Sequence, residues 1–178
     1  DAALNYGGIA AVIGHEISHG FDDQGRQFDK DGNLKDWWTK SDADEFKKRT
    51  ERIAEQYNNF TILDTLHVNG RLTLGENIAD LAGLSIAYEA FQNTAEAKAN
   101  TVIDGFTADQ TFFINWAQVW RNNILPESAA QRILTDSHSP GMFRANGPLQ
   151  NIDDFYKAFN VKGGDKMYVD SDDRIRVC

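Results

Sequence analysis

Two histidines stand four residues apart in His15-Glu16-Ile17-Ser18-His19. On a helix that spacing is just over one turn, so both imidazoles leave the same face about 6 Å apart along the axis. Two imidazoles so placed can reach one zinc ion at roughly 2.1 Å each. Glu16 is rotated by about 100° from the first histidine. It can face a water molecule at the metal without being a ligand. Zinc lowers the pKa of such a water to about 7, where a neighbouring carboxylate can take its proton. The setting is apolar (Ile9, Ala10, Ala11, Val12, Ile13, Ile17), a costly place for two imidazoles and a carboxylate with no task.

A catalytic zinc site wants a third protein ligand and one open position. The segment Gly75-Glu76-Asn77-Ile78-Ala79-Asp80 offers two carboxylates four residues apart on a second apolar stretch. Both point the same way on a helix. One could bind the metal while the other holds a ligand imidazole by its second nitrogen. The competing reading is a solvated acidic pair. Other polar clusters carry less. His67 reads as structural or exposed. Asp29-Lys30-Asp31-Gly32-Asn33 hints at a calcium loop, but Gly is misplaced and Lys40 stands where a Glu is needed. Gly163-Gly164 reads as a plain turn.

These residues need a scaffold, and the sequence reads as mainly helical. Leu4 to about Asp22 is apolar on nearly all sides, which predicts a buried helix. Asp31-Gly32 marks a turn. Ser41 with Asp44 resembles a capping box opening a helix with Phe46, Ile53, Tyr57 and Phe60 on one face. His67 to Leu72 reads as a hairpin around Asn69-Gly70. A helix is expected from Gly75 to Phe91, then a loop from Asn93 to Gly105. Thr107 with Gln110 caps a very apolar helix, Pro126 opens another through Thr135, and Asn151 caps a last one over Ile152 to Phe159.

Composition narrows the rest. The chain has 178 residues, enough for one domain or one lobe of a larger protein. Its 18 Lys+Arg against 27 Asp+Glu give a net charge of −9, which argues against nucleic acid and anionic membrane as partners. The single cysteine, Cys178, excludes an internal disulfide and a cysteine zinc cluster, so a metal site must use His, Asp and Glu. No apolar run approaches the roughly 18 residues of a membrane-spanning helix, and the chain is expected to be soluble.

With these motifs in order, the chain resembles the neprilysin and endothelin-converting enzyme family of zinc metallopeptidases. The resemblance rests on Asn5-Tyr6-Gly7-Gly8-Ile9, Val12-Ile13-Gly14-His15-Glu16-Ile17-Ser18-His19-Gly20-Phe21-Asp22, Trp37-Trp38, Leu74-Gly75-Glu76-Asn77-Ile78-Ala79-Asp80, Ala117-Gln118-Val119-Trp120 and His138-Ser139-Pro140-Gly141. It implies a mainly α, thermolysin-like (gluzincin) catalytic lobe with a small β component and one zinc ion. By resemblance His15, His19 and Glu76 are the metal ligands and Glu16 is the catalytic carboxylate. Asp80 matches an aspartate sometimes described as a proton donor; we expect it to orient His15. His138 corresponds to a donor to the oxyanion and Arg144 to a grip on a substrate carbonyl, a role that fits the charge built up in peptide hydrolysis. Asp136 could fix the tautomer of His138. Val12, Val119 and Trp120 correspond to the walls of an apolar pocket for the side chain after the cut bond.

The resemblance further implies peptide substrates cut on the amino side of apolar residues. Full members are several times longer, with a helical lid domain and a substrate-binding edge strand upstream. The chain therefore reads as a carboxyl-terminal catalytic fragment, 1–178. Ile175 and Cys178 stand where animal members have a Cys-x-x-Trp tail, and the missing cysteines suggest a bacterial homologue without disulfides; the parent protein is expected to be extracytoplasmic. Two alternatives stay open: a different zinc hydrolase such as an aminopeptidase, whose glutamate would lie much closer behind the histidines, and a zinc-binding fragment without catalysis. The helix around Phe112, Phe113, Trp116 and Trp120 has more large side chains than one face can use. Apolar surface left open by truncation is expected to give homo-oligomers.

Overall fold

The computed structural model describes residues 1–177; Cys178 lies outside the described residues. Helices dominate. A helical run opens the chain as α1 (Ala2–Asn5), a π-helical turn (Tyr6–Ala10), α2 (Ala11–Ser18) and a 3-10 turn (His19–Phe21). Then follow α3 (Lys40–Asn58), a two-stranded antiparallel hairpin of β1 (Thr61–Ile62) and β2 (Leu66–His67), and α4 (Leu74–Gln92). The rest is α5 (Ala95–Ala99), α6 (Ala108–Val119), α7 (Pro126–Thr135), α8 (Gly141–Leu149) and α9 (Asp153–Phe159).

The central element is α4, apolar around most of its circumference and packed on by α2, α3 and α8. A helix that is apolar all round belongs inside. Its crossing with α2 is unusually close. A side chain on Gly83 of α4 would collide with the backbone nitrogen of His15, and one on Gly14 would place Cβ 2.8 Å from the Gly83 carbonyl oxygen. The absence of two side chains lets the backbones touch, so residues one turn either side of the crossing meet. His15 lies beside Gly14, and Asp80 and Glu76 lie one and two turns before Gly83.

Several expectations from sequence need correction. The cap of α3 is Thr39, whose hydroxyl accepts from the Asp42 amide, rather than Ser41. The hairpin turns earlier than Asn69-Gly70, at Leu63-Asp64, both in the left-handed region. Asn69 instead starts the approach to α4 by accepting from the amides of Arg71 and Leu72. A short helix, α5, interrupts the predicted Asn93–Gly105 loop behind its own threonine cap, Thr94. Asn151 does not cap α9; its side chain accepts from Ile175 and donates to Gln56. Helix α8, which follows Pro140, was not anticipated, because Gly141, Gly147 and Pro148 lower its helix propensity.

The open apolar face also lies elsewhere than expected. Phe112, Phe113 and Trp116 of α6 are all buried, with Phe113 stacked on Tyr88 and Phe112 on Phe91 of α4. The zinc-motif helix, expected to be buried, instead exposes a stripe: Ile9 is 63% accessible, Ile13 52% and Ile17 65%. We propose that the isolated chain self-associates through this stripe, because contiguous apolar surface on a free protein favours association. Light scattering is expected to show dimers or larger species that Ile13→Lys with Ile17→Lys converts to monomer. A monomeric parent chain at high concentration would rule this out.

Candidate active site

The zinc-motif helix delivers His15 and His19 to one side of α4, and α4 supplies Glu76. The two Nε2 atoms are 3.1 Å apart. Glu76 lies 3.3 Å from His15 Nε2 and 3.5 Å from His19 Nε2. Two nitrogens sharing a tetrahedral zinc would be about 3.4 Å apart, so the donor set has the right dimensions. A second observation agrees. Glu76 Oε2 is buried without a hydrogen bond, although nitrogens of His15, His138 and Arg144 each stand 3.3 Å away. None is aimed to donate to it. A buried carboxylate oxygen lacking a donor suits a cation, and the residues present fit zinc.

Each ligand imidazole is held from behind by a carboxylate. Asp80 Oδ1 lies 2.8 Å from His15 Nδ1, and Asp22 Oδ2 lies 2.7 Å from His19 Nδ1. Such a contact fixes the ring and leaves Nε2 for the metal. Asp80 stands where a carboxylate orienting His15 would stand. Asp22 closes the histidine motif, and its position three residues after His19 is the sequence signal for this contact. Asp22 is itself locked, its Oδ1 accepting from the amides of Gln24 and Gly25.

Burial alone would lower the pKa of His15. The adjacent Asp80 and Glu76 carboxylates outweigh it and lift the value to about 9. Burial likewise pushes Glu76 up, but the adjacent His15 imidazole and the charges of His138 and Arg144 hold its carboxyl below the ordinary range.

Arg144, from α8, is buried and grips Asp80 with two nitrogens: Nε donates to Oδ2 at 2.8 Å and Nη2 to Oδ1 at 2.7 Å. Its guanidinium carbon lies 3.8 Å from the centre of the Trp120 ring. The carbonyl-gripping role implied by resemblance leaves it Nη1, which makes no hydrogen bond among the described residues. The clamp on Asp80 was not anticipated, since sixty-odd residues of sequence separate the pair.

His138 hangs over Glu76 from the loop after α7. Asp136 Oδ1 accepts from its backbone amide at 2.9 Å and lies 2.8 Å from its Nδ1. Those two bonds, the backbone one first, hold the Asp136 carboxyl below its usual range. The cleft between these groups has a volume of about 190 Å³ and is lined by Val12, His15, Glu16, His19, Glu76, Trp120, His138 and Arg144. Glu16 is exposed on its wall. Val119 is 44% accessible and not part of that lining.

The fold is mostly helical with one small hairpin and is of the gluzincin type, and the donor set on it fits zinc. Residues 1–175 match peptidase family M13, and the chain belongs to that family. It is 48% identical to human endothelin-converting enzyme 1 over 168 residues, which are 93% of this chain and 22% of that protein. It is 49% identical to human neprilysin over 171 residues, 93% of this chain and 23% of that protein. Among solved structures it is similar to the Mycobacterium tuberculosis zinc metalloprotease Zmp1 in complex with an inhibitor. That likeness has a TM-score of 0.91 at 47% identity and covers 99% of this chain and 28% of that one. PepO from Lactobacillus gives a TM-score of 0.87 at 37% identity, over 98% of this chain and 26% of that one. The chain thus spans about a quarter of the relatives it matches.

Zinc binding should be coupled to proton release. At pH 7 the metal-free His15, with its pKa of about 9, carries a proton that zinc must displace from Nε2. About one proton should leave per zinc at pH 7, and affinity should rise up to about tenfold per pH unit until pH 9. Calorimetry in buffers of different ionisation enthalpy measures this; a proton count of zero from pH 6 to 8 contradicts it.

Proposed function

We propose that this chain is the catalytic lobe, 1–178, of a zinc-dependent endopeptidase that cuts peptides on the amino side of hydrophobic residues. The observation that carries the reading is the donor set His15, His19 and Glu76 around a buried carboxylate oxygen without a hydrogen bond, with Glu16 on the wall of the same cleft. One zinc ion, when bound there, would supply Lewis acidity toward the scissile carbonyl and toward water. The remaining work falls to the side chains. Glu16 accepts the proton of the attacking water and passes it to the leaving amine. His138, held by Asp136, donates toward the oxygen on which negative charge builds. The positive charge of Arg144 favours the same change, and its free Nη1 can hold a neighbouring carbonyl of the substrate backbone.

Val12 and Trp120 give the cleft an apolar wall, and Val119 extends it only if a bound peptide reaches beyond the 190 Å³ cleft. Selection for an apolar side chain after the cut bond follows from that wall. The reading of a zinc-binding fragment without catalysis draws on the chain's span of 28% of a solved relative. An upstream lid and edge strand belonging to the same protein would complete substrate binding. No helix among the described residues is long and apolar enough to cross a membrane. An extracytoplasmic location for the whole protein is part of the proposal.

Two substitutions test the assignment. Glu16→Gln keeps shape but cannot take a proton. It should lower turnover of a quenched peptide by about 100-fold or more while zinc content stays unchanged. Loss of the metal in that variant would make Glu16 a ligand or a structural residue instead. His138→Ala should reduce kcat by roughly 100- to 1,000-fold with little change in KM, because the charge it meets exists only in the transition state. Unaltered kcat with a raised KM would mark His138 as a ground-state binding group. Both assays belong in the full-length polypeptide if the lobe alone does not turn over.

A further inference from the structure

Behind the cleft, three buried polar side chains form one hydrogen-bonded line. The Thr73 hydroxyl donates to the Asn69 carbonyl at 3.2 Å, Asn77 Nδ2 donates to Thr73 Oγ1 at 2.9 Å, and Ser139 Oγ donates to Asn77 Oδ1 at 2.8 Å. Thr73, Asn77 and Ser139 are each 3% accessible or less. Every donor points the same way along the line, and both ends of the Asn77 amide are used. None of the three lines the catalytic cleft.

Their sequence neighbours give the line its meaning. Asn77 follows Glu76, and Ser139 follows His138. His138 depends on Asp136 for its ring orientation, but that contact lies within the loop and cannot fix the loop against α4. The Ser139–Asn77 bond does, across 62 residues of sequence and in a place closed to water. It therefore sets how far His138 stands from Glu76, now 3.3 Å. Stability alone gives little reason for such a pair. Replacing both partners of a buried hydrogen bond by apolar groups of the same shape can be nearly neutral, whereas the polar pair fixes direction and distance.

We propose that Ser139 and Asn77 are positioning residues for His138, holding its imidazole at the height from which it meets the developing oxyanion. This rests on the role given to His138 above. It assigns to Asn77 a task distinct from that of its neighbour Glu76.

The test is a double-mutant cycle in the full-length, zinc-loaded polypeptide. Ser139→Ala removes one oxygen atom and leaves His138 chemically intact. It should lower kcat by about 10- to 100-fold, in line with the cost of misplacing a reacting group by about 1 Å, with KM changed by less than about twofold. Zinc content should stay the same. Asn77→Leu, which keeps the approximate shape, should behave alike. In a His138→Ala background Ser139→Ala should cost less than about twofold, since its target is gone. An equal loss in both backgrounds overturns the proposal while leaving the role of His138 intact. No loss from His138→Ala alone overturns the functional reading and this proposal with it. A crystal structure of Ser139→Ala gives a readout independent of activity. The proposal expects the His138 ring to have moved away from Glu76, and a ring in its original place refutes it.

Discussion

A carboxylate with no exposure to water must be neutralised where it stands, or it will not stay charged. Asp80 meets that demand with Arg144 on one side and His15 on the other. The arrangement ties three elements together: α4 holds the acid, α8 holds the guanidinium, and α2 holds the ligand imidazole. Each partner is satisfied only when the other two are in place. Removing either base would leave a buried charge short of compensation, an error typically worth about 3–5 kcal/mol. The candidate metal site therefore depends on a charge network formed by folding, and Trp120 closes it by covering the face of the guanidinium.

The proposed zinc ligands stand on this network through geometry that polar residues alone could not create. Helices usually cross with axes about 8–10 Å apart, the distance that side chains dictate. Gly14 and Gly83 remove the obstruction at one level of the α2–α4 crossing. The histidines and carboxylates can then converge within the reach of a single ion. Backbone contact and charge pairing thus act on the same two helices, one setting their separation and the other their rotation.

Much of this could be read from the sequence because helix spacing is a local property. His15 and His19 share a face, Glu76 and Asp80 share another, and Thr107 with Gln110 forms the expected capping box. The extent of α4 and α7 was equally legible, since apolar period and Pro126 mark them. What escaped was non-local. The clamp of Arg144 on Asp80 and the bond from Ser139 to Asn77 join residues more than sixty positions apart, and no spacing rule reports such pairs. Helix α8 escaped because local propensity opposes it, with glycine and proline at its ends. The exposure of Ile9, Ile13 and Ile17 escaped for a different reason. Composition shows that a residue is apolar, but not whether anything covers it.

The π-helical turn at Tyr6–Ala10 has a consequence for how the first helical run is divided. In an unbroken α-helix, Gly7 and Gly14 are seven residues apart and would point within about 20° of each other. They do not serve one neighbour here: a side chain on Gly7 would strike the carbonyl of Phe112 in α6, whereas Gly14 abuts α4. A π turn holds roughly one residue more than an α turn, so it shifts the helical phase by about 100°. The run thus has two packing frames joined by a phase adjuster. Upstream residues answer to α6 and the metal-binding residues to α4. An insertion of one residue, which would scramble the facing of an ordinary helix, is confined here to a single turn and leaves the spacing of the histidines untouched.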